Sequence, residues 1–365
     1  MRTTQRVRRG ALAAVAAIVI GGSGVAAGAA LTESTASGST ASVALGPPVL
    51  ASSPGPASYA GVVRQVLPSV VLIRTPDGLG SGVVLDRSGN IVTNAHVAGN
   101  ATKFQVQVAG DTAPRTARLV GAYPPDDLAV IRADDASGLQ PASFGDSDRV
   151  QAGDVVLAIG NPLGLSGSVT EGIISATDRA ITEPAEAGAA GQSRAAATLP
   201  GAIQTSAPIN PGNSGGALVS TSGQVIGIPT LAAASPQGGA QAQGIGFAIP
   251  SNLARDIATQ IIDSGHVTNS HRAALGAEVA TVLSADGASA QGVGVVTITG
   301  GGPADRAGLR AGDVIKSVGS ASTPDATALS AALAGARPGD KVSLTISRGA
   351  QDQTVQVTLG ELPGG

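Results

Sequence analysis

From Ala60 onward the chain is a series of short apolar runs divided by Gly, Asp, Asn or Pro: Val70 to Ile73, Gly82 to Leu85, Ile91 to Thr93, Phe104 to Val108, Leu128 to Ile131 and Val155 to Ile159. Runs this short, evenly spaced and rich in β-branched residues predict the strands of a barrel or sandwich. A second group follows in Val169 to Ser175, Ala202 to Thr205, Ala217 to Val219, Val225 to Ile228 and Gly246 to Ile249. Two successive β units of similar length are expected, with the Ala-, Gly- and Glu-rich stretch Ile181 to Pro200 as a mobile loop. The period changes at Ser251, where Leu253, Ile257 and Ile261 fall on one helical face, with Ser251 as N-cap and Gly265 as stop. This helix closes the first domain, 59–265, and the short polar segment from Gly265 to Arg272 reads as a boundary. Beyond it, residues 271–362 predict a smaller α+β unit. Its strands are Val293 to Ile298 and Val314 to Val318, its helix runs from Pro324 to about Ala334, and Val342, Leu344, Ile346 and Val355, Val357, Leu359 form two alternating runs.

Upstream the pattern differs. Met1 to Gly10 holds Arg2, Arg6, Arg8 and Arg9 and no acid, and Ala11 to Ile20 is wholly apolar, which is the layout of an export segment. Residues 1–31 are expected to be a cleaved signal peptide or a retained membrane anchor, with everything after them extracytoplasmic. Residues 32–58 carry Glu33 as their single charge among Ser, Thr, Ala, Gly and Pro, and predict a disordered linker.

Composition narrows the chemistry. Apolar residues make up 42% of the chain but aromatics only 1%, so the cores must be aliphatic. A net charge of −3 with interspersed signs gives no footprint for nucleic acid. Cysteine is absent, which removes disulfides and thiolate chemistry. His96, His266 and His271 are the histidines, and none has a metal-ligand spacing with acids, so neither metal nor cofactor is expected.

Gly212-Asn213-Ser214-Gly215-Gly216 sets one serine in a loop whose neighbours tolerate unusual backbone angles, so that N–H groups can converge beside a nucleophile. A serine hydroxyl needs a base. His96 lies just past an apolar strand, and Asp127, preferred over Asp126, directly precedes another. The order His, Asp, Ser through a β-rich region is that of the chymotrypsin arrangement. Two other readings compete. Gly-x-Ser-x-Gly also fits an α/β-hydrolase esterase completed by Asp256 or Asp263 and His266 or His271, and a catalytically silent chaperone or adaptor would keep the β fold and work through the second unit.

These residues together resemble the HtrA group of bacterial trypsin-like proteases. The likeness runs through Ser81-Gly82-Val83-Val84, Thr93 to Val97, Asp127 to Ile131, Ile159 to Pro162, Ser168 to Ser175, Ile209 to Gly216 and Gly244 to Pro250. It implies a mostly β protein, a chymotrypsin-like double β-barrel followed by a PDZ-like domain. It further implies His96 as base, Asp127 as its orienter, Ser214 as nucleophile, and Gly212, Asn213 and Ser214 as the oxyanion loop. Counting six back from Ser214 gives Pro208 as the specificity-pocket floor, with Ile209 and Ile228 as walls. No acid stands there, so cleavage after small or medium apolar residues of unfolded or misfolded proteins is expected. Gly302 to Ile315 resembles a PDZ segment, which implies capture of peptide C-termini at Ala274-Leu275-Gly276-Ala277. The resemblance also implies a homotrimer packed through the N-terminal edge, where Tyr59 is the available aromatic.

Overall fold

The computed structural model describes residues 59–363, apart from 77, 109, 112, 162–166, 183–197, 211, 235–240, 285–288 and 350. The expected export segment and linker, residues 1–58, lie outside the described residues. After helix α1 (Tyr59–Val66), strands β1 (Val70–Arg74), β2 (Leu79–Val84), β3 (Asn90–Thr93), β4 (Lys103–Val108), β5 (Arg115–Tyr123) and β6 (Leu128–Ala133) close a barrel in the order 1-2-3-6-5-4. A one-turn helix, α2 (Ala95–Ala98), follows β3. Strands β7 (Val155–Gly160), β8 (Ser168–Thr182), β9 (Thr198–Thr205), β10 (Ala217–Ser220), β11 (Val225–Ala234) and β12 (Gln241–Pro250) close a second barrel, and α3 (Ser251–Ser264) ends this part.

The strand runs are continuously apolar because both of their faces are buried. In β1, Val71 and Ile73 fill the first barrel with Ile91, Phe104 and Ile131, while Val70 points the other way. In β7, Val156 and Ala158 fill the second barrel, and Leu157 and Ile159 turn outward. The outward sets of both barrels meet each other, α1 and the Ile257–Ile261 face of α3 in one aliphatic seam. Alternation in these strands therefore sorts residues between two cores, not between core and water.

Several expectations are corrected. Val155 to Ile159, grouped by sequence with the first unit, is the opening strand of the second barrel. β5 escapes the apolar-run criterion because Arg115, Thr116 and Arg118 interrupt it, Gly121 stands mid-strand, and its register against β6 shifts between Leu119 and Gly121. The loop expected from Ile181 to Pro200 is strand at both ends: Ile181 pairs with Leu199 and Thr182 with Thr198, and residues 183–197 lie outside the described residues. Ser251 is the first residue of α3 and does not cap it; its hydroxyl donates instead to the Gly145 carbonyl, 2.9 Å away. Gly265 does terminate the helix, at φ +77°.

The segment read as a polar boundary is partly core. Val267 and Ser270 are 1% exposed, Val267 within the aliphatic seam. Arg272 donates to the Pro125 carbonyl and forms a 2.9 Å ion pair with the fully buried Asp126. Beyond it lie β13 (Ala273–Ala274), β14 (Ala277–Leu283), β15 (Ala290–Ile298), α4 (Pro303–Arg306), β16 (Val314–Val318), β17 (Ala321–Ser322), α5 (Ala326–Leu333), β18 (Lys341–Arg348), β19 (Gln351–Thr358) and β20 (Gly360–Glu361). The sheet order is 14-15-16-18-19, so β14 is an edge strand, and β20 returns to pair with β13. Asp325 caps α5 by accepting from the Ala328 N–H at 2.8 Å.

Candidate active site

The histidine and aspartate are brought together by neighbouring strand ends of the first barrel. β3 and β6 pair directly, Thr93 opposite Ala129, so the residues after one and before the other converge. A 3-10 turn over Pro124–Asp126 leads into Asp127, which holds the left-handed conformation at φ +50°. That conformation is uncommon for a residue with a side chain. It is held by the Asp127 N–H on the Pro124 carbonyl at 3.0 Å, and by the Ala95 N–H and the Asn94 amide, both of which donate to the Asp127 carbonyl. The carboxylate then faces His96, accepting from its backbone N–H at 2.9 Å and lying 2.8 Å from Nδ1. Asp126 points elsewhere, to Arg272. Burial raises the Asp126 carboxyl above its ordinary pKa, and Arg272 opposes the rise.

The serine arrives from the second barrel, in the turn entering β10. Gly212 and Gly215 take φ of +104° and +78°, and a Cβ on Gly215 would meet the Ser81 carbonyl at 2.2 Å, so only glycine fits there. The turn is bonded at every other point: Asn213 N–H to Asn210, Gly215 N–H to Pro229 and Gly216 N–H to Asn213, each at 2.9 Å. No hydrogen bond among the described residues uses the Gly212 or Ser214 N–H. The Ser214 hydroxyl donates to the Thr230 carbonyl at 3.1 Å, and no hydrogen bond among the described residues joins it to His96. Thr230 was not singled out from sequence. Its own hydroxyl donates to Asp127 at 2.5 Å, giving that carboxylate a third donor. The available signal was a hydroxyl within the apolar run of β11, since a buried hydroxyl needs a partner.

Residues 80–228 match the trypsin-like peptidase domain family, and residues 267–359 match the PDZ domain family. Serine protease PepD of Mycobacterium tuberculosis is 39% identical over 344 residues, covering 89% of this chain and 71% of PepD. The periplasmic pH-dependent serine endoprotease DegQ of Escherichia coli is 38% identical, covering 78% of this chain and 59% of DegQ. The solved structure of the HtrA-type protease AlgW with a tripeptide is 38% identical, with a TM-score of 0.54 over 84% of this chain and 98% of AlgW. The chain belongs to the HtrA family of serine endoproteases.

The fold that this HtrA chain shares excludes the esterase arrangement. An α/β-hydrolase serine sits between a strand and a helix, whereas Ser214 sits in a turn between Asn210 and strand β10. Asp256 and His271 do approach each other at 3.2 Å, but on an exposed surface, and His266 contacts the Ser264 carbonyl instead.

The residues expected to shape the specificity pocket separate. Pro208 is exposed, and its carbonyl accepts from the Thr170 hydroxyl at 2.8 Å. Ile209 is 4% exposed and lies inside the second barrel, where a methyl placed on Gly246 would sit 2.4 Å from its Cγ1. Ile228 is not a wall. It pairs with Ile249, and both are buried in the seam between the barrels, so its side chain offers no surface to a substrate.

In the PDZ part, Leu275 is core, while Gly276 turns at φ +68° and leaves Ala277 to open β14. The Leu275 and Gly276 carbonyls accept from Ala304 and Thr299, and among the described residues no hydrogen bond uses the Leu275 or Gly276 N–H. The β14 edge and α5 border a cavity of about 830 Å³, lined by Gly276, Val279, Leu329 and Leu333 and, from the protease part, Pro125 and Pro200.

Proposed function

We propose that this HtrA endopeptidase cleaves unfolded or misfolded proteins after small or medium apolar residues, with Ser214 as nucleophile, His96 as general base and Asp127 as the residue that orients the base. The observation that carries this reading is the buried Asp127 carboxylate, which accepts from the His96 backbone, His96 Nδ1 and Thr230. As an acceptor at Nδ1 it keeps the imidazole proton on that nitrogen and leaves Nε2 as the basic one.

A rotation about Ser214 χ1 exchanges the Thr230 carbonyl for His96 Nε2. The hydroxyl proton passes to Nε2 as Oγ bonds to the substrate carbonyl carbon. The imidazolium is held by Asp127, and the new oxyanion by the N–H groups of Gly212 and Ser214, with Asn213 between them. Collapse of this intermediate breaks the C–N bond, and the imidazolium protonates the departing amine. Water then repeats the sequence on the acyl-serine ester.

The preference for small or medium apolar residues rests on the absence of any acid at Pro208 and Ile209, so that no side chain there pairs a basic residue. Ala274, Leu275, Gly276 and Ala277 are proposed to take a peptide C-terminus, its carboxylate on the free N–H groups and its backbone along β14. AlgW, a relative, has been solved with a tripeptide. The periplasmic setting of DegQ supports an extracytoplasmic location in protein quality control, whether residues 1–31 are cleaved or retained as an anchor. A homotrimer through the N-terminal edge belongs to the same proposal. Tyr59 donates to Glu171 on β8 at 2.9 Å, and Val169 and Ile173, on the same strand face, are 38% and 43% exposed.

The test is fluorophosphonate labelling of wild type and Ser214→Ala, together with digestion of an unfolded protein and sequencing of its products. Labelling confined to wild type and cuts after apolar residues support the reading. Labelling that persists in Ser214→Ala, or predominant cuts after Lys or Arg, rejects it.

A further inference from the structure

Ser81 sits on β2 with its side chain fully buried, and three of its polar groups engage the turn that carries the proposed nucleophile or that turn's neighbours. Its backbone N–H donates to the Ser214 carbonyl at 2.9 Å. Its Oγ lies 2.5 Å from the Gly212 carbonyl and also accepts from the Asn161 N–H at 2.8 Å. Its carbonyl accepts from the Thr93 hydroxyl at 2.7 Å. Because Asn161 can only donate to Oγ, the single proton of the Ser81 hydroxyl is committed to the Gly212 carbonyl.

We infer that Ser81 is a positioning residue for the oxyanion hole, fixing the direction of the Ser214 N–H through the peptide units on either side of it. The inference rests on the proposed roles of Gly212 and Ser214. The Ser214 N–H belongs to the peptide plane between Asn213 and Ser214. The plane before it is pinned at the Gly212 carbonyl by the Ser81 hydroxyl, and the plane after it at the Ser214 carbonyl by the Ser81 N–H. The middle plane is tied once more, its Asn213 carbonyl accepting from Gly216 at 2.9 Å. A donor contributes most to a developing oxyanion when it is aimed before the reaction begins. Removing the Ser81 hydroxyl leaves the preceding plane held only by its Asn213 N–H on the Asn210 carbonyl, and leaves the Gly212 carbonyl and Asn161 N–H without their Ser81 partner.

Ser251 provides a matched control, since its equally buried hydroxyl donates to a backbone carbonyl, that of Gly145, at the start of α3. Full-length wild type, Ser81→Ala, Ser81→Cys, Ser251→Ala and Ser214→Ala are compared on a short chromogenic peptide, with rates normalised to the folded fraction. Affinities are measured for a peptide boronic acid, whose serine adduct places an anionic oxygen in the hole, and for the matching peptide amide, which forms none. Ser81→Ala is expected to lose about 10- to 100-fold in kcat with KM within about twofold. Boronate affinity should fall by the same factor and amide affinity should hold. Ser81→Cys, with a weak donor in the same place, should follow in direction and decides the matter where Ser81→Ala does not fold. Ser251→Ala should keep its kcat per folded molecule. The inference is overturned if the Ser81 variants stay within about twofold of wild type in kcat, or if both inhibitors weaken equally. An active wild type, an inactive Ser214→Ala and unaffected Ser81 variants sink this inference alone. A Ser214→Ala as active as wild type sinks the reading of the site and this inference with it.

Discussion

The Ser214 hydroxyl is bonded to the Thr230 carbonyl at 3.1 Å, while the Thr230 hydroxyl is bonded to Asp127, so a single residue of β11 touches both ends of the proposed triad. The proposed nucleophile donates to Thr230, and among the described residues no hydrogen bond joins it to His96. If Ser214, His96 and Asp127 act as one unit, Ser214→Ala, His96→Ala and Asp127→Asn should each lower kcat for peptide hydrolysis by about 10⁴-fold or more, and the Ser214/His96 double variant should be no worse than either single. Circular dichroism should show a retained fold. Single variants whose effects multiply would argue against a concerted unit.

Thr230→Val removes the hydroxyl but keeps the carbonyl that accepts from Ser214. A hydrogen bond to a charged group contributes about 1.5–3 kcal/mol, so its loss at Asp127 should cost roughly tenfold to a hundredfold in kcat/KM. Thr230→Ser should restore most of it. A Val variant as active as wild type would mean that the backbone N–H and Nδ1 of His96 hold the carboxylate well enough without the Thr230 hydroxyl.

The residues that were legible in sequence share a property: their signal is local. Asp127 abuts an apolar strand, His96 follows one, and Ser214 sits among glycines, so spacing and order point to the three residues of the proposed triad. Thr230 has no such signature, because its partners lie 103 and 16 positions away, Asp127 in the other barrel and Ser214 in the turn entering the neighbouring strand. Ile228 was misplaced for the same reason. Apolar character marks it as buried but does not say whether the burying surface is the pocket, the barrel interior or the seam, and the seam takes it. β5 was invisible because its arginines are tethered at the barrel surface, Arg115 to Asp111 at 3.2 Å and Arg118 to Asp134 at 3.0 Å, a strand pattern with no apolar run.

In the proposed pocket, Ile209, which packs against the bare face of Gly246, would take up space that a substrate side chain could otherwise enter. Ile209→Ala should open that space. One or two methylenes in an apolar pocket discriminate by about 1–3 kcal/mol, so preference should move by roughly 10- to 100-fold from small residues toward Leu and Phe at the cleavage position. Product sequencing after digestion of an unfolded protein reads this directly. An unchanged preference would place the pocket elsewhere.

Asp126 is fully buried, its Oδ2 has no hydrogen-bond partner among the described residues, and Arg272 supplies the compensating charge at 2.9 Å. In Arg272→Met the carboxylate loses that charge, which should cost about 3–5 kcal/mol at neutral pH. Burial already lifts the folded pKa above the unfolded one, and loss of Arg272 lifts it further. A raised folded pKa means stability that is present in acid and lost as pH climbs through that value. The deficit of Arg272→Met relative to wild type should therefore shrink as pH is lowered from 7 toward 5, read as thermal midpoints across that range. A deficit independent of pH would assign the effect to lost packing by the arginine stem.

The same pair decides whether the protease part can stand alone. A chain ended after Gly265 loses Val267 from the aliphatic seam and Arg272 from Asp126. A chain ended after Ala273 keeps both, though it loses Leu362, which packs on the seam from the far end. The two truncations differ by eight residues and remove the whole PDZ sheet alike, so any difference between them isolates the linker. Loss of a buried ion-pair partner, at about 3–5 kcal/mol, corresponds to roughly 6–20 °C in a domain of this size. The shorter form should melt lower by that margin, and Asp126→Asn should recover much of the difference in the shorter form only, because it removes a charge that the longer form still neutralises. Activity on a short chromogenic peptide should survive in the longer truncation, since His96, Asp127, Ser214 and Thr230 all lie before the cut. Equal melting of the two truncations would show that the protease part owes nothing to Val267 and Arg272, and that the polar look of the linker was a sufficient guide to where the domains divide.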